Sequence, residues 1–267
     1  MTHQLQPTRL GAGGMSALHA RHQAYLEATI SEEIAPCDDM FLRGAPGAMA
    51  HYMALGRSAI EILLGAMLAT DRDGFATVLD LPCGGGRVTR HLQAFLPESA
   101  LFASDLADDR QRFVVETFGA QPFSAPADFR GVPSRTFDLI FVGSLVTHFN
   151  IDLYTRAVTW FIAALADDGV LILTTHGRRQ DYVHRTWHHH LDSAVWDAVC
   201  ASRDRTGFGF AAYGEDRPGY GLSLTAPSWL VRFVEDEPTT RIVGFQEAGW
   251  GDHHDVLVLQ KRAVVPR

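Results

Sequence analysis

Residues 78–92 read VLDLPCGGGRVTRHL. Val78 to Leu81 form an apolar run interrupted only by Asp80, which predicts a strand buried on both faces. Gly84, Gly85 and Gly86 follow as a tight turn, and the spacing from Arg87 onward predicts a helix. Strand, glycine turn and helix in this order let a ligand approach the backbone at the strand's C-terminal end. A turn that binds nothing would look the same, so the weight falls on the next segment. There Asp105 closes the apolar run LFASD, where an acidic side chain can accept hydrogen bonds from both ribose hydroxyls of a nucleoside cofactor. Pro82 has no N–H to donate, and its fixed φ biases Leu81 toward extended geometry, so backbone donation from the loop starts at Cys83.

Beyond this stretch, short apolar runs alternate with helical segments, the pattern of β-α-β units around a parallel sheet. Strands are predicted at ATVLDL, ALFASDL, AQPFS, FDLIFVGS and GVLILTTH, and helices at RVTRHLQAFL, RQRFVVETFG and IDLYTRAVTWFIAALAD. Two amphipathic helices are predicted upstream, MSALHARHQAYLEATISEEI and AMAHYMALGRSAIEILLGAML. After Gly177 the alternation is interrupted by a segment rich in His, Arg, aromatic residues and Gly. It resumes with PSWLVRFVED as a helix and TRIVGFQEA and HDVLVLQKR as strands. The short connection between those two strands allows the last to pair antiparallel, which makes a seven-stranded mixed sheet. The expected organisation is an N-terminal helical cap (1–75), a cofactor-binding core (76–177), an insert forming a substrate lid (178–225) and a segment completing the sheet (226–267).

The formal net charge of −8 argues against a surface that recruits phosphate backbones, so no nucleic-acid partner is expected. Cys37, Cys83 and Cys200 are too few and too scattered for a disulfide framework, and the chain reads as cytoplasmic. The most apolar candidate span, AIEILLGAMLA, carries Glu61 and stops at Asp71, short of the ~20 apolar residues that cross a bilayer. No membrane association and no secretory signal are expected.

Two cofactor classes use such a loop. A nicotinamide dinucleotide wants G-x-G-x-x-G, but counting from Gly84 and Gly86 the third position is Thr89. A cofactor with a nucleoside end and no phosphate fits better. VLDLPCGGGR resembles motif I of the class I S-adenosylmethionine-dependent methyltransferases, with Asp80 as the acidic position, Pro82 in place of the first glycine, and Gly84 and Gly86 as the second and third. FASDL is similar to the second motif, FDLIFVGSLVTHF to the fourth-strand motif, and LADDGVLILTTHG to the fifth-strand element. The resemblance covers residues 50 to 177 and extends more weakly over 226 to 262, and DLPCG resembles a variant of motif I in a bacterial subgroup.

That resemblance implies a Rossmann-like fold: a seven-stranded, mostly parallel sheet with helices on both faces, an N-terminal helical cap and an insert after the fifth strand. It implies S-adenosyl-L-methionine as cofactor. Asp80 would organise the loop and the methionine amino group, Pro82 and Cys83 would belong to the cofactor-binding loop, and Gly84 and Gly86 would line methionine and ribose. Asp105 would bind ribose and Leu106 would pack on adenine. The adenine amino group would meet either Ser124 or Asp128. Val142 and Gly143 would pass their backbone beneath the sulfonium, and Tyr52 would reach the methionine end from the cap unless it is core.

His148, just beyond the fourth strand, is the candidate general base, set against a role in capping or packing the next helix. His176 is a second candidate. His184 and His188 would share a helical face as a ligand pair, but no carboxylate joins them, and no metal is expected. Tyr182, Trp187, Trp196, Phe208, Phe210, Tyr213 and Tyr220, jointed by glycines, are candidates for a lid over the acceptor, or for a satellite cluster covering the sheet. The expected function is methyl transfer to an O or N atom of a small molecule (metabolite, natural product or sugar), by a monomer or homodimer. The alternatives are a noncatalytic S-adenosylmethionine-binding regulatory module and a nucleotide-dependent oxidoreductase.

Overall fold

A computed structural model of the chain describes residues 14–187 and 191–262. The expected fold is present. A seven-stranded mixed sheet has the strand order β3-β2-β1-β4-β5-β9-β8, and a separate pair, β6-β7, lies outside it. The strands are β1 (Thr77–Asp80), β2 (Ala100–Ala103), β3 (Gln121–Pro122), β4 (Phe137–Val142), β5 (Leu165–His176), β6 (Phe208–Ala212), β7 (Gly221–Thr225), β8 (Thr240–Trp250) and β9 (His254–Lys261). The described residues divide into two compact units, the first within 14–125 and 137–141, the second within 126–136, 142–187 and 191–262.

In the first unit β1 pairs in parallel with both β2 and β4, and β2 with β3. Val78, Leu79, Leu139, Ile140 and Phe141 are fully buried, which explains why these strands lack polar alternation. Asp138 clamps β4 to β1: one carboxylate oxygen accepts from both the backbone N–H and the hydroxyl of Thr77 at 2.8 Å. Around this sheet lie α1 (Gly14–Glu27), α2 (Ala48–Thr70), α3 (Thr89–Phe95) and α4 (Asp108–Phe118).

Helix α1 stops well before the Ile34 end that periodicity suggested, because the following backbone is held in another way. The buried Arg90 guanidinium donates to the carbonyl of Ser31 at 2.7 Å and to that of Gly85 at 3.2 Å, tying this irregular segment to the glycine turn. Helix α2 runs unbroken past Glu61 and is, by length and composition, apolar enough to cross a membrane. Its apolar stripe is accounted for by packing: Tyr52, Ala59, Ile60, Leu63, Ala66 and Met67 are buried within the unit. Helix α3 begins two residues later than expected, after an extended turn.

The three glycines of that turn answer different constraints. A Cβ on Gly86, where φ is +80°, would lie 2.4 Å from the Phe118 ring of α4. A Cβ on Gly85 would lie 2.2 Å from the Asp38 carboxylate, whereas one on Gly84 (φ +52°) would meet nothing within 4 Å. Gly86→Ala combines overpacking, about 1–3 kcal/mol, with a left-handed backbone penalty of about 1–2 kcal/mol. We expect a thermal melt clearly below wild type; an unchanged melt would show that α4 yields without cost.

The second unit holds a single 3-10 turn (Val146–His148), then α5 (Ile151–Ala163), α6 (Arg178–Thr186), α7 (Ser193–Thr206) and α8 (Pro227–Glu235). Strand β9 lies between β5 and β8 and is antiparallel to both. Helix α5 ends before Asp167 and β5 starts before Gly169, contrary to the sequence expectation. Asp168 takes a left-handed φ of 60° inside the strand, Gln260 Nε2 donates to its carbonyl at 3.3 Å, and Lys261 Nζ donates to the Leu165 carbonyl at 2.7 Å. What looked like a turn is thereby drawn into the sheet.

The segment after Gly177 is more regular than its composition suggested. Helices α6 and α7 are followed by the β6-β7 hairpin, and Trp196, Val199, Leu222 and Leu224 form a core of their own. Its glycines serve packing: a Cβ on Gly209 would lie 2.0 Å from the Val199 carbonyl oxygen, and one on Gly221 2.0 Å from that of Ala211. At these two positions the absence of a side chain makes room for a neighbouring strand or helix carbonyl.

Candidate active site

The ligand-facing part of the glycine turn is small and well defined. The Leu81–Pro82 bond is cis. The Cys83 N–H donates to the Ser104 carbonyl at 2.9 Å, and the Gly84 N–H donates to Asp105 Oδ2 at 2.9 Å. Asp105 Oδ1 accepts from the Ala107 N–H at 2.9 Å, so two backbone donors fix the carboxylate. The side chain is half-buried, and Leu106 beside it is 66% exposed. An oriented carboxylate, an exposed apolar side chain next to it and a left-handed glycine facing open space suit a ribose, a base and a close backbone approach. The residues present fit an S-adenosyl cofactor.

Asp80 is wholly buried and accepts from the Thr89 hydroxyl at 2.6 Å. Burial pushes its carboxyl up to about 7, against the lowering effect of the Thr89 hydrogen bond and reinforced by the Asp105 charge. Thr89, which breaks the dinucleotide pattern in the sequence, is thus Asp80's hydrogen-bond partner. Cys83 is also buried, and burial raises its thiol, with Asp80 and Asp105 adding to the shift.

Tyr52 is 1% exposed and its hydroxyl donates a hydrogen bond to Asp38 Oδ2 at 2.6 Å. The Arg87 and Arg90 guanidiniums lie 5.7 and 5.1 Å from its ring centroid. Burial raises the Tyr52 phenol, and the Asp38 hydrogen bond raises it further. Asp38 packs against Gly85, so it belongs to the shell that holds the turn. No motif points to it; the only signal in the sequence is an acidic pair, Asp38–Asp39, just ahead of the Tyr52 helix. Ser124 is exposed at the end of β3.

In the second unit, Asp128 is exposed and its carboxylate faces Arg130 at 3.3 Å. Val142 is fully buried, Gly143 is half-buried, and Ser144 has a φ of 58° with its N–H donating to Thr174 Oγ1 at 2.8 Å. His148 does not cap α5. That role falls to Asn150, whose Oδ1 accepts from the Leu153 N–H at 2.9 Å. Instead His148 Nδ1 lies 3.0 Å from the Gly221 carbonyl oxygen and 3.0 Å from the Tyr213 hydroxyl, with the Tyr220 ring stacked at 5.2 Å. A carbonyl oxygen can only accept, so Nδ1 carries the proton and Nε2 is the basic nitrogen. Burial raises the Tyr213 phenol to about 12. Tyr182 and Trp187 are exposed, whereas Trp196 and Phe208 are core.

His184 is buried against the Trp196 ring at 4.1 Å, and its Nε2 accepts the Leu191 N–H at 3.2 Å. His188, its proposed partner, lies outside the described residues.

The fold and the turn define a class I S-adenosylmethionine-dependent methyltransferase. Residues 49–205 match the family described as a methyltransferase domain, more than half of the chain, and the chain belongs to that family. No curated protein matches it. Among solved structures, an O-methyltransferase family protein from Burkholderia thailandensis is similar at 15% identity, covering 94% of this chain and 71% of its own, with a TM-score of 0.53. The 1,6-didemethyltoxoflavin-N1-methyltransferase from the same organism, solved with 1,6-didemethyltoxoflavin and S-adenosylhomocysteine, is similar at 16% identity over 98% of both chains, with a TM-score of 0.52. An S-adenosylmethionine-dependent methyltransferase from Clostridium acetobutylicum is similar at 15% identity, over 79% of this chain and 92% of its own, with a TM-score of 0.52. At these identities the likeness carries the fold.

Proposed function

We propose that the protein methylates an oxygen or nitrogen atom of a small molecule, with His148 as general base. The observation that carries this reading is the His148 imidazole, whose Nδ1–H is held by the Gly221 carbonyl so that Nε2 is the nitrogen able to take an acceptor's proton. Tyr213 and Tyr220 flank it, as suits a flat or ring-shaped acceptor. The B. thailandensis 1,6-didemethyltoxoflavin-N1-methyltransferase, solved with 1,6-didemethyltoxoflavin bound, supports a small-molecule acceptor. The acidic net charge of −8 favours a small molecule over nucleic acid. We assign residues 1–75 as the cap, 76–177 as the cofactor core, 178–225 as the acceptor lid and 226–267 as the segment completing the sheet. Cys37, Cys83 and Cys200, all free, accord with a cytoplasmic setting.

When bound, S-adenosylmethionine supplies a methyl group on a positively charged sulfur. Asp105 and Leu106 would hold its nucleoside end, Gly84 would border it closely, and Asp80 would meet its ammonium directly or through water. Val142 and Gly143 would present backbone to the sulfonium, and Ser124 or Asp128 would meet the adenine amino group. Gly86, Tyr52, Pro82 and Cys83 then keep the turn in shape. Labelled methyl transfer to a panel of hydroxylated and nitrogen-containing ring compounds and sugars tests this reading. Label appearing only in protein or RNA would overturn it.

A pH dependence follows from Asp80. Its folded-state carboxyl, at about 7, lies above the ordinary 3.8, so the folded protein holds the extra proton between those values. The sign is therefore a contribution to folding stability that falls as pH rises through this window. Cofactor binding runs the other way, since only the ionised carboxylate attracts an ammonium. We expect S-adenosylhomocysteine affinity to rise as pH passes upward through about 7, with proton release on binding, and Asp80→Asn to abolish that rise. Calorimetry in two buffers of different ionisation heat reads both; a flat profile in the wild type would remove Asp80 from the ammonium site.

A further inference from the structure

We propose that His176, His253 and His254 form a binding site for one divalent cation of the zinc class. The backbone brings them together: His176 ends β5, His254 begins β9, and the two are register partners across the antiparallel pair. His253 is the last residue of the tight turn between β8 and β9, in which Gly251 and Asp252 both take left-handed φ values of 61°. The ligand nitrogens of the three rings lie within 4.8 Å of one another. Tetrahedral coordination with Zn–N bonds of ~2.0–2.1 Å needs nitrogens about 3.3 Å apart, a difference that side-chain rotation can close.

The surroundings orient the rings for this purpose. His176 Nδ1 lies 3.3 Å from the Ser223 carbonyl oxygen, and His253 Nδ1 lies 2.8 Å from that of Gly251. A carbonyl accepts only from N–H, so in both rings Nε2 carries the lone pair, the tautomer that zinc-bound histidines have when their other nitrogen donates to a backbone carbonyl. His176 and His254 are each 5% exposed, and His253 is half-buried, which gives an entry path on one side. Three imidazoles without a carboxylate suit zinc, or cobalt in its place, over magnesium or calcium. Three protein ligands leave a fourth position for water or another donor atom. This trio is distinct from the His184–His188 pair that the sequence spacing suggested, because His184 Nε2 is engaged with the Leu191 N–H.

The test is titration of metal-free protein with Zn²⁺ by calorimetry and with Co²⁺ by visible absorption. One equivalent should bind, Co²⁺ should give the intense visible bands of a four-coordinate site, and stoichiometric Zn²⁺ should raise the thermal melt. His253→Ala removes a half-exposed ligand, so the metal-free melt should stay close to wild type. Its affinity should fall by more than the ~10–100-fold that loss of an outer-shell partner costs. The combined His188→Ala, His189→Ala, His190→Ala variant should bind as wild type does. Absence of a one-equivalent event in the wild type, unchanged affinity in His253→Ala, or loss of binding in the combined variant would each overturn the assignment.

Discussion

Asp105→Ala should weaken S-adenosylhomocysteine binding by ~100-fold or more while leaving the fold intact. Its two oxygens are already anchored by the Gly84 and Ala107 N–H groups, which fixes the carboxylate plane. Each oxygen retains acceptor capacity for one ribose hydroxyl. A hydrogen bond to a charged group contributes about 1.5–3 kcal/mol, so two amount to about 3–6 kcal/mol, from which the hundredfold lower bound follows. Asp105 and Gly84 are both half-buried, so water can take the place of the carboxylate at the Gly84 N–H. Asp105→Asn should fall between the two, since its amide keeps one acceptor and loses the charge. Calorimetry reads both variants; an Asp105→Ala affinity within about threefold of wild type would refute the ribose assignment.

His148→Ala should lower kcat by ~10²–10⁴-fold with cofactor affinity unchanged, the range a positioned general base supplies. The Gly221 carbonyl holds the ring in place, so the substitution removes the positioned base together with its orientation. The acid limb of the wild-type pH–rate profile should vanish in the variant. Tyr213→Phe keeps the Gly221 contact and should cost far less. Single-turnover kinetics with saturating cofactor separates these effects from binding; full His148→Ala activity across pH would mean that the acceptor arrives deprotonated or needs no base.

The strand pattern was legible because buried parallel strands have a simple signature. Thr77–Asp80 and Phe137–Val142 lie within the expected segments, and β9 takes the antiparallel place that the short β8-β9 connection allowed. The turn was legible as a ligand loop but not glycine by glycine. Only three-dimensional contacts distinguish Gly84, which faces open space, from Gly86, which makes room for Phe118. Asp38 was invisible because its role comes from a hydrogen bond to Tyr52 across an irregular segment with no periodicity. The hairpin beyond α7 was hidden for a related reason: Gly209 and Gly221 read as flexible joints in sequence, although each is there because a neighbouring carbonyl leaves no room for a Cβ.

The position of β9 also bears on the order in which the chain can fold. β5 and β8 are both synthesised before β9, yet β9 supplies the hydrogen-bonding partner for each. Until residues 254–261 are in place, the edges of β5 and β8 that face β9 lack these partners, among them the run Val170 to Leu173, which is wholly buried in the folded unit. Such edges are templates for intermolecular pairing. A folding intermediate in which β9 is not yet in place is therefore the form most exposed to self-association, and a substitution that weakens β9 pairing should raise the aggregated fraction on refolding.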